Sequence, residues 1–403
     1  MIKKTRRILY NLFKFFLKCI YCIKAIIFIS IHKNNYLNKN FYILHHWSFG
    51  WQVIFSYLIY IYSKRKKNKI KIINFVYKRN NPYMTNFFFK KKEFFNYQVN
   101  TKYNLINKIS YDSFLLALNL FPNIKKKLIT NEKIFKYLRY KNQGIYQWDF
   151  IEEKLIKYFD FSWFDKLLAQ NNFKKNIIQK EFKIYSKRIL DKRFKNVFKN
   201  KSIGSIAFRD QYTDYKSDSM RQKFKPGNYI PAIKWLIKNK NFIFVNHNKN
   251  FNKYFNKIKG VINLSEVTNS KKEFYYMNLF LYHINDLFIS TLSGSHLFPV
   301  LFDKKIMLGD VWPLSTGTPG NKAILLPVNY FLNNKRISLN KILINYPHIF
   351  LGSDKISYKK KIQIRPNSKN QILKMVQEKK LRKIKNLPKN SLVFYRKNLF
   401  CVV

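Results

Sequence analysis

Two stretches of this chain alternate apolar runs of strand length with runs of helical period, and that alternation leaves few folds open. In the first, Phe41–His46 reads as a buried strand, Trp51–Tyr62 as an apolar helix, and Lys67–Tyr77 as a second strand with its core at Ile70–Val76. The second is longer. Strands are predicted at Ser202–Phe208, Phe242–Val245, Gly260–Leu264, Asp286–Ser290 and Lys305–Leu308, with helices at Asn228–Lys238 and Lys271–His283 between them. Strand, crossover helix, strand is the unit that builds parallel sheets. Two such series predict an α/β chain of two Rossmann-like domains. The segment from 80 to 200 reads mostly as helices with basic linkers.

The chain has 403 residues, which suits two domains and a terminal extension. The expected division is a basic apolar segment at 1–35, an N-terminal domain at 40–195, a C-terminal domain at 200–350, and a strand and helix packing back at 351–403. Three cysteines cannot make a disulfide scaffold. Cys19-x-x-Cys22 lies in an apolar helical run with no second pair, so its spacing is not read as a metal or redox site.

Charge is extreme: 78 Lys and Arg against 20 Asp and Glu, a formal net charge of +58. Such a balance fits nucleic acid or an anionic membrane, while the abundance of Lys, Asn, Ile, Phe and Tyr also fits an A+T-rich genome. No acid precedes Glu93. The first thirty residues open with Lys3, Lys4, Arg6 and Arg7, and Arg7, Asn11, Lys14 and Lys18 recur at helical spacing as one polar stripe in an otherwise apolar helix. Lysines interrupt it too often for a spanning helix, so it reads as an interfacial helix on an anionic membrane surface.

Ligands of doubly wound sheets bind beyond the carboxyl ends of the strands, and two segments with suitable chemistry fall there. Ser290-Thr291-Leu292-Ser293-Gly294-Ser295 joins a buried strand to a helix start. Its hydroxyls and N–H groups suit a diphosphate, or it is an ordinary capped turn. Arg209-Asp210-Gln-Tyr212-Thr-Asp214 follows another strand. Arg209 could fork onto a phosphate and a nearby carboxylate could act as general base, or the loop is simply solvated. His45 and His46 end the first strand, ahead of Ser48 and Gly50. No Asp-x-Asp pair is present to hold a divalent metal, and no Gly-x-Ser-x-Gly or Gly-x-Gly-x-x-Gly motif occurs.

Residues from about 204 to 343 resemble a group of bacterial glycosyltransferases of the GT-B type. The resemblance rests on an ordered series: Phe208-Arg209-Asp210-Gln-Tyr212, then Arg221, then Asn228-Tyr229-Ile-Pro231-Ala-Ile233, Met277-Asn278, Ser290-Thr-Leu-Ser293-Gly294, Phe298-Pro299 with Phe302-Asp303, and Trp312-Pro313. It departs from the group's pattern at Ala207, Asn278, Ser290, Leu292 and Asp303, where His, an acid, Gly, Ser and Gly are usual. What the resemblance implies is two domains facing a cleft and a sugar moved from a nucleotide-sugar donor to a cell-envelope glycan or lipid-linked acceptor. It needs no cofactor and no metal, and acts at the cytoplasmic face of the inner membrane. The resemblance gives Arg209 a phosphate-binding role; on the same reading Tyr212, Asn228, Tyr229, Thr291, Ser293, Gly294 and Ser295 lie at the donor and Ser48 and Gly50 at the acceptor, with Asp210, Asp214 or His46 as base. A basic RNA- or ribosome-associated protein is the alternative, with an inactive, glycan-binding relative of the transferases as a third reading.

Overall fold

The computed structural model describes residues 2–34, 39–45, 49–67, 69–77, 81–99, 104–138, 146–151, 154–159, 168, 177–208, 224–312, 323–345, 362–377, 382–383 and 400–401. The chain divides into two compact units. The first is Met1–Asn142 with Ile177–Gln179; the second is Gln143–Asn176 with Lys180–Val403. The helix Lys180–Phe198 thus belongs to the second unit.

The first unit opens with α1 (Ile2–His32), followed by β1 (Phe41–Leu44), α2 (Phe49–Lys66), β2 (Lys71–Val76), α3 (Met84–Phe88), β3 (Phe94–Gln98), α4 (Asn104–Leu118) and β4 (Leu128–Ile129). Its four strands run parallel in the order β3-β2-β1-β4. Strands buried on both faces read as continuous apolar runs rather than alternating ones, and β1, FYIL, is buried at every position. The helix α2 is buried along most of its length, so its polar groups need internal partners: Gln52 Nε2 donates to the Asn81 carbonyl at 3.2 Å. An aromatic core of Phe75, Tyr97 and Phe114 joins the sheet to α4.

In the second unit the hairpin of β5 (Tyr146–Ile151) and β6 (Lys154–Phe159) precedes the main sheet. That sheet holds β7 (Ser202–Ile206), β8 (Phe242–Asn246), β9 (Val261–Asn263), β10 (Leu287–Thr291), β11 (Lys305–Val311) and β12 (Ala323–Pro327). These six run parallel in the order β9-β8-β7-β10-β11-β12, and the short strands Phe400–Cys401 and Arg382–Lys383 extend it beyond β12. Numbered along the chain, that order is third, second, first, fourth, fifth, sixth, the doubly wound Rossmann arrangement. Close approach of β7 to β8 depends on Gly204, which faces the Phe244 ring across the ladder; a Cβ there would overlap the ring. A three-stranded antiparallel sheet of Asn329–Leu332, Lys335–Ile337 and Ile362–Arg365 packs its own small core around Trp312 and Tyr330. The segment read as mostly helical therefore contains four strands, β3 to β6. β3 is a five-residue strand behind a lysine run, and what fixes it is its parallel register with β2 rather than any period of its own.

Candidate functional site

A doubly wound sheet opens a crevice where the chain, having built outward in one direction, returns to build in the other. In the second unit that switch point lies between β7 and β10. Two loops leave the carboxyl ends of these strands side by side. Ala207 N donates to the Ile289 carbonyl at 3.1 Å, which holds the exit of β7 against β10. The Ser290 hydroxyl reaches the Ala207 carbonyl, and also lies 2.7 Å from the Thr291 carbonyl; its one proton serves one of them at a time.

Beyond Ser290 the hydroxyls form a chain. Ser290 Oγ and Ser293 Oγ are 3.2 Å apart, and Ser293 Oγ and Ser295 Oγ 2.5 Å. Directed as Ser295 to Ser293 to Ser290 to Ala207, the chain uses every hydroxyl proton internally. Directed outward from Ser293 or Ser295, it presents a donor to an anion at the crevice. Both serines are half-buried and Gly294 between them is exposed, so backbone and hydroxyls are accessible together. The helical turns that follow, Gly294–His296 and Leu297–Val300, are short. Hydroxyls and loop N–H groups, not a long helix dipole, are what this loop offers. Thr291 is buried as the last residue of β10, and the ring nitrogen Nδ1 of His296 folds back onto the Ser293 carbonyl.

Of the remaining sequence-predicted residues, Arg209, Asp210, Tyr212, Asp214, His46 and Ser48 lie outside the described residues. Phe208, immediately before Arg209, is buried against Phe224 and Tyr229, with ring centroids at 4.9 and 4.6 Å. Gly50 is buried in the first turn of α2. The structure brings Thr291, Ser293, Gly294 and Ser295 together with Ala207. Asn228 and Tyr229 both make hydrogen bonds within the fold. Tyr229 is fully buried, and its hydroxyl donates to Asp310 Oδ2 at 2.9 Å. The Asn228 amide donates to the Asn367 carbonyl at 2.9 Å. Complete burial leaves the Tyr229 ring no exposed face, whereas Asn228 is half-buried.

Asp310 is the residue that sequence reasoning missed. It adopts a left-handed backbone with φ 50°, where the ladder between β11 and β12 shifts register. Asn367 holds it from both sides: Asp310 N donates to Asn367 Oδ1 at 2.7 Å, and Asn367 N donates to Asp310 Oδ1 at 2.5 Å. Burial pushes the Asp310 carboxyl up to about 6, although the Asn367 N–H and the Tyr229 hydroxyl favour its charged form. Asp and Asn tolerate the left-handed region better than most residues; a lone acid in a strand gave no other signal. Asp310 thereby pins β11, the turn Pro226–Tyr229 and the segment leading into the helix Lys369–Gln377 into one corner of the carboxyl edge.

The histidines divide similarly. His45 stacks on Tyr111 with ring centroids 3.7 Å apart, and burial lowers its titration to about 3. His247 leaves β8 with Nε2 3.1 Å from Ser205 Oγ, and burial lowers it to about 3 as well. Both are neutral at ordinary pH. Asn278, where the resembled group has an acid, hydrogen-bonds Tyr282 one turn along its own helix. Among the described residues no group of three or more His, Cys, Asp or Glu side chains could hold a metal ion.

Neither a family model nor a curated protein matches the sequence. Solved structures with a similar outline include a family 9 glycosyltransferase from Veillonella parvula, 12% identical, with a TM-score of 0.41 over 80% of this chain and 96% of that one. The ADP-heptose heptosyltransferase II of E. coli is 9% identical, with a TM-score of 0.38 over 73% of this chain and 92% of its own. A UDP-GlcNAc 2-epimerase from Neisseria meningitidis is 11% identical, with a TM-score of 0.25 over 81% of this chain and 79% of its own.

Proposed function

We propose that this chain is a glycosyltransferase that uses a nucleotide-sugar donor. One observation carries the reading: the Ser-rich loop after β10 meets the exit of β7 at the switch point of a doubly wound sheet, and Arg209 comes next in sequence after Phe208. Hydroxyl and N–H donors at one crevice, joined by a guanidinium from the residue next in sequence, would suit the two phosphates of a nucleoside diphosphate.

The reaction assigned to this site breaks the bond between the sugar's anomeric carbon and the diphosphate oxygen, and forms one from that carbon to an acceptor hydroxyl oxygen. Charge builds on the departing diphosphate. Arg209, with the hydroxyls of Ser293 and Ser295, would offset it, and such pre-aimed donors are often the largest single contribution to catalysis. The acceptor proton passes to a base among Asp210, Asp214 and His46. The acceptor itself is a glycan or a lipid-linked sugar on this reading.

Thermal unfolding with UDP-, GDP-, ADP- and CMP-sugars tests it. A ligand at 100 times its Kd adds ~2.7 kcal/mol of stability. One nucleotide family should stabilise the wild-type chain at both low and high salt and fail to stabilise Arg209→Ala. No response to any nucleotide sugar, with strong salt-sensitive binding of a structured RNA, would replace this reading with an RNA-binding one.

A further inference from the structure

Amphipathic helices on globular proteins turn their apolar side inward; α1 buries a short apolar patch and leaves a longer apolar stripe outward. Its second half packs on the first unit: Ala25 and Ile29 are fully buried, and Tyr21, Cys22, Ile26 and Phe28 pack beside them against the core containing Phe114, Ala117 and Leu118. Two polar ties fix this half. Ser113 Oγ donates to the Lys18 carbonyl at 3.2 Å, and Lys24 Nζ donates to the Gln98 carbonyl at 2.6 Å.

The sequence positions Arg7, Asn11, Lys14 and Lys18 run in helical register into Cys22, Ala25 and Ile29. The predicted polar stripe therefore shares the side of the helix that docks on the body. The opposite side is predominantly apolar between Ile8 and Ile31. Leu9, Phe13, Phe16, Ile20, Ile23, Ile27 and Ile31 recur every three or four residues, and all are exposed, from 44% at Ile20 to 65% at Phe16. Ile8, Leu12 and Phe15 widen the stripe, at 52, 58 and 68% exposed. At 100° per residue these ten side chains cover roughly 160° of the wheel over about 35 Å of helix. Nothing among the described residues covers that surface, and no described helix is long and apolar enough to cross a membrane.

We propose that this face of α1 lies in the surface of an anionic lipid bilayer, with the helix axis parallel to it. Charge complementarity selects lipid over a second copy of the chain. The helix carries Lys3, Lys4, Arg6, Arg7, Lys14, Lys18 and Lys24 and no acid, and no acid precedes Glu93 anywhere in the chain. Two such helices side by side would repel, with no Glu to pair across the flanks of the seam. Ten apolar side chains are also a wider surface than a two-helix seam needs. The helix's excess positive charge draws it towards anionic headgroups at long range, and the apolar stripe enters the acyl boundary. The inference does not depend on the donor site.

Sedimentation of the full chain with vesicles of phosphatidylglycerol and phosphatidylcholine, or of phosphatidylcholine alone, tests it. The wild type should partition to the anionic vesicles and stay bound in part at 0.5 M salt, because the apolar contact is not screened. Ile20→Asp with Ile27→Asp should lower the partition coefficient at least tenfold. Ile184→Asp with Tyr254→Asp makes the same charge change at exposed residues of the second unit and should leave it within twofold. Both altered residues of α1 face solvent, so the unfolding midpoint should not move, and nucleotide-sugar stabilisation should be unchanged. Equal partition of the two variants, or complete release of the wild type by salt, would reduce the effect to bulk charge and overturn the proposal. So would a dimer that Ile20→Asp with Ile27→Asp dissociates.

Discussion

At the scale of single residues, the carboxyl edge of the second sheet contains two kinds of polar group. Ser293, Gly294 and Ser295 are reachable and can redirect their donors; Tyr229, Asp310 and Asn367 are committed to one another. The two kinds should separate on mutation. Ser293→Ala with Ser295→Ala should weaken nucleotide-sugar binding about tenfold, the loss of roughly one neutral hydrogen bond, and leave the unfolding midpoint nearly unmoved; unchanged affinity by calorimetry would exclude these hydroxyls from the donor site. Tyr229→Phe should do the opposite. It leaves a buried carboxylate short of one donor, at a cost of about 1–3 kcal/mol, with no change in donor affinity. Asp310 also sets a pH dependence. Burial raises its carboxyl to about 6 when folded, above the ordinary 3.8, so between those values the folded chain holds a proton that the unfolded chain has lost. That contribution to stability is full below 3.8 and disappears as pH rises through 6. In Asp310→Asn the falling slope between those values should vanish from a urea-denaturation series; a retained slope would assign it elsewhere.

Elements here are held by particular contacts more than by their own propensities. β7 and β8 pack closely because position 204 has no side chain beneath the Phe244 ring. Gly204→Ala should cost about 1–3 kcal/mol by overpacking, and Phe244→Leu in the same chain should recover part of it; additive losses would mean the ring is not the cause. The helix α1 is a second case. Deleting residues 1–32 looks from sequence like removal of a detachable segment. In the structure Ala25 and Ile29 complete the core around Phe114 and Tyr97, so the deletion should also lower the stability of the first unit, by about 2 kcal/mol or more for the apolar surface uncovered. A truncated chain with the full-length unfolding midpoint would contradict that packing.

Over the whole molecule, acid sensitivity follows from buried neutral histidines. Burial lowers His45 and His247 to about 3 and His283 to about 4, whereas an unfolded histidine titrates near ~6.5. As pH falls from 6.5 towards 4 the unfolded chain gains protons that these rings refuse, and stability declines; Asp310 acts in the opposite sense over part of the same window. His247→Gln should make the acid-side slope shallower, by at most ~1.4 kcal/mol per pH unit; an unchanged slope would mean that His247 takes up a proton in the folded state. The sequence by itself determined the α/β class and most strands of the second sheet, because parallel strands buried on both faces leave continuous apolar runs between turn residues. It also determined the polar stripe of α1 and the loop Ser290–Ser295, since hydroxyls and glycine at the end of a strand are a local pattern. Only the tertiary structure decided that α1 docks through Ala25 and Ile29 and leaves a broad apolar stripe towards solvent, that the Tyr229 hydroxyl is buried on Asp310, and that β3 joins a parallel sheet. Each of these depends on groups tens of residues apart in sequence, as Tyr229 and Asp310 are, and no local period encodes which of two faces meets a neighbour.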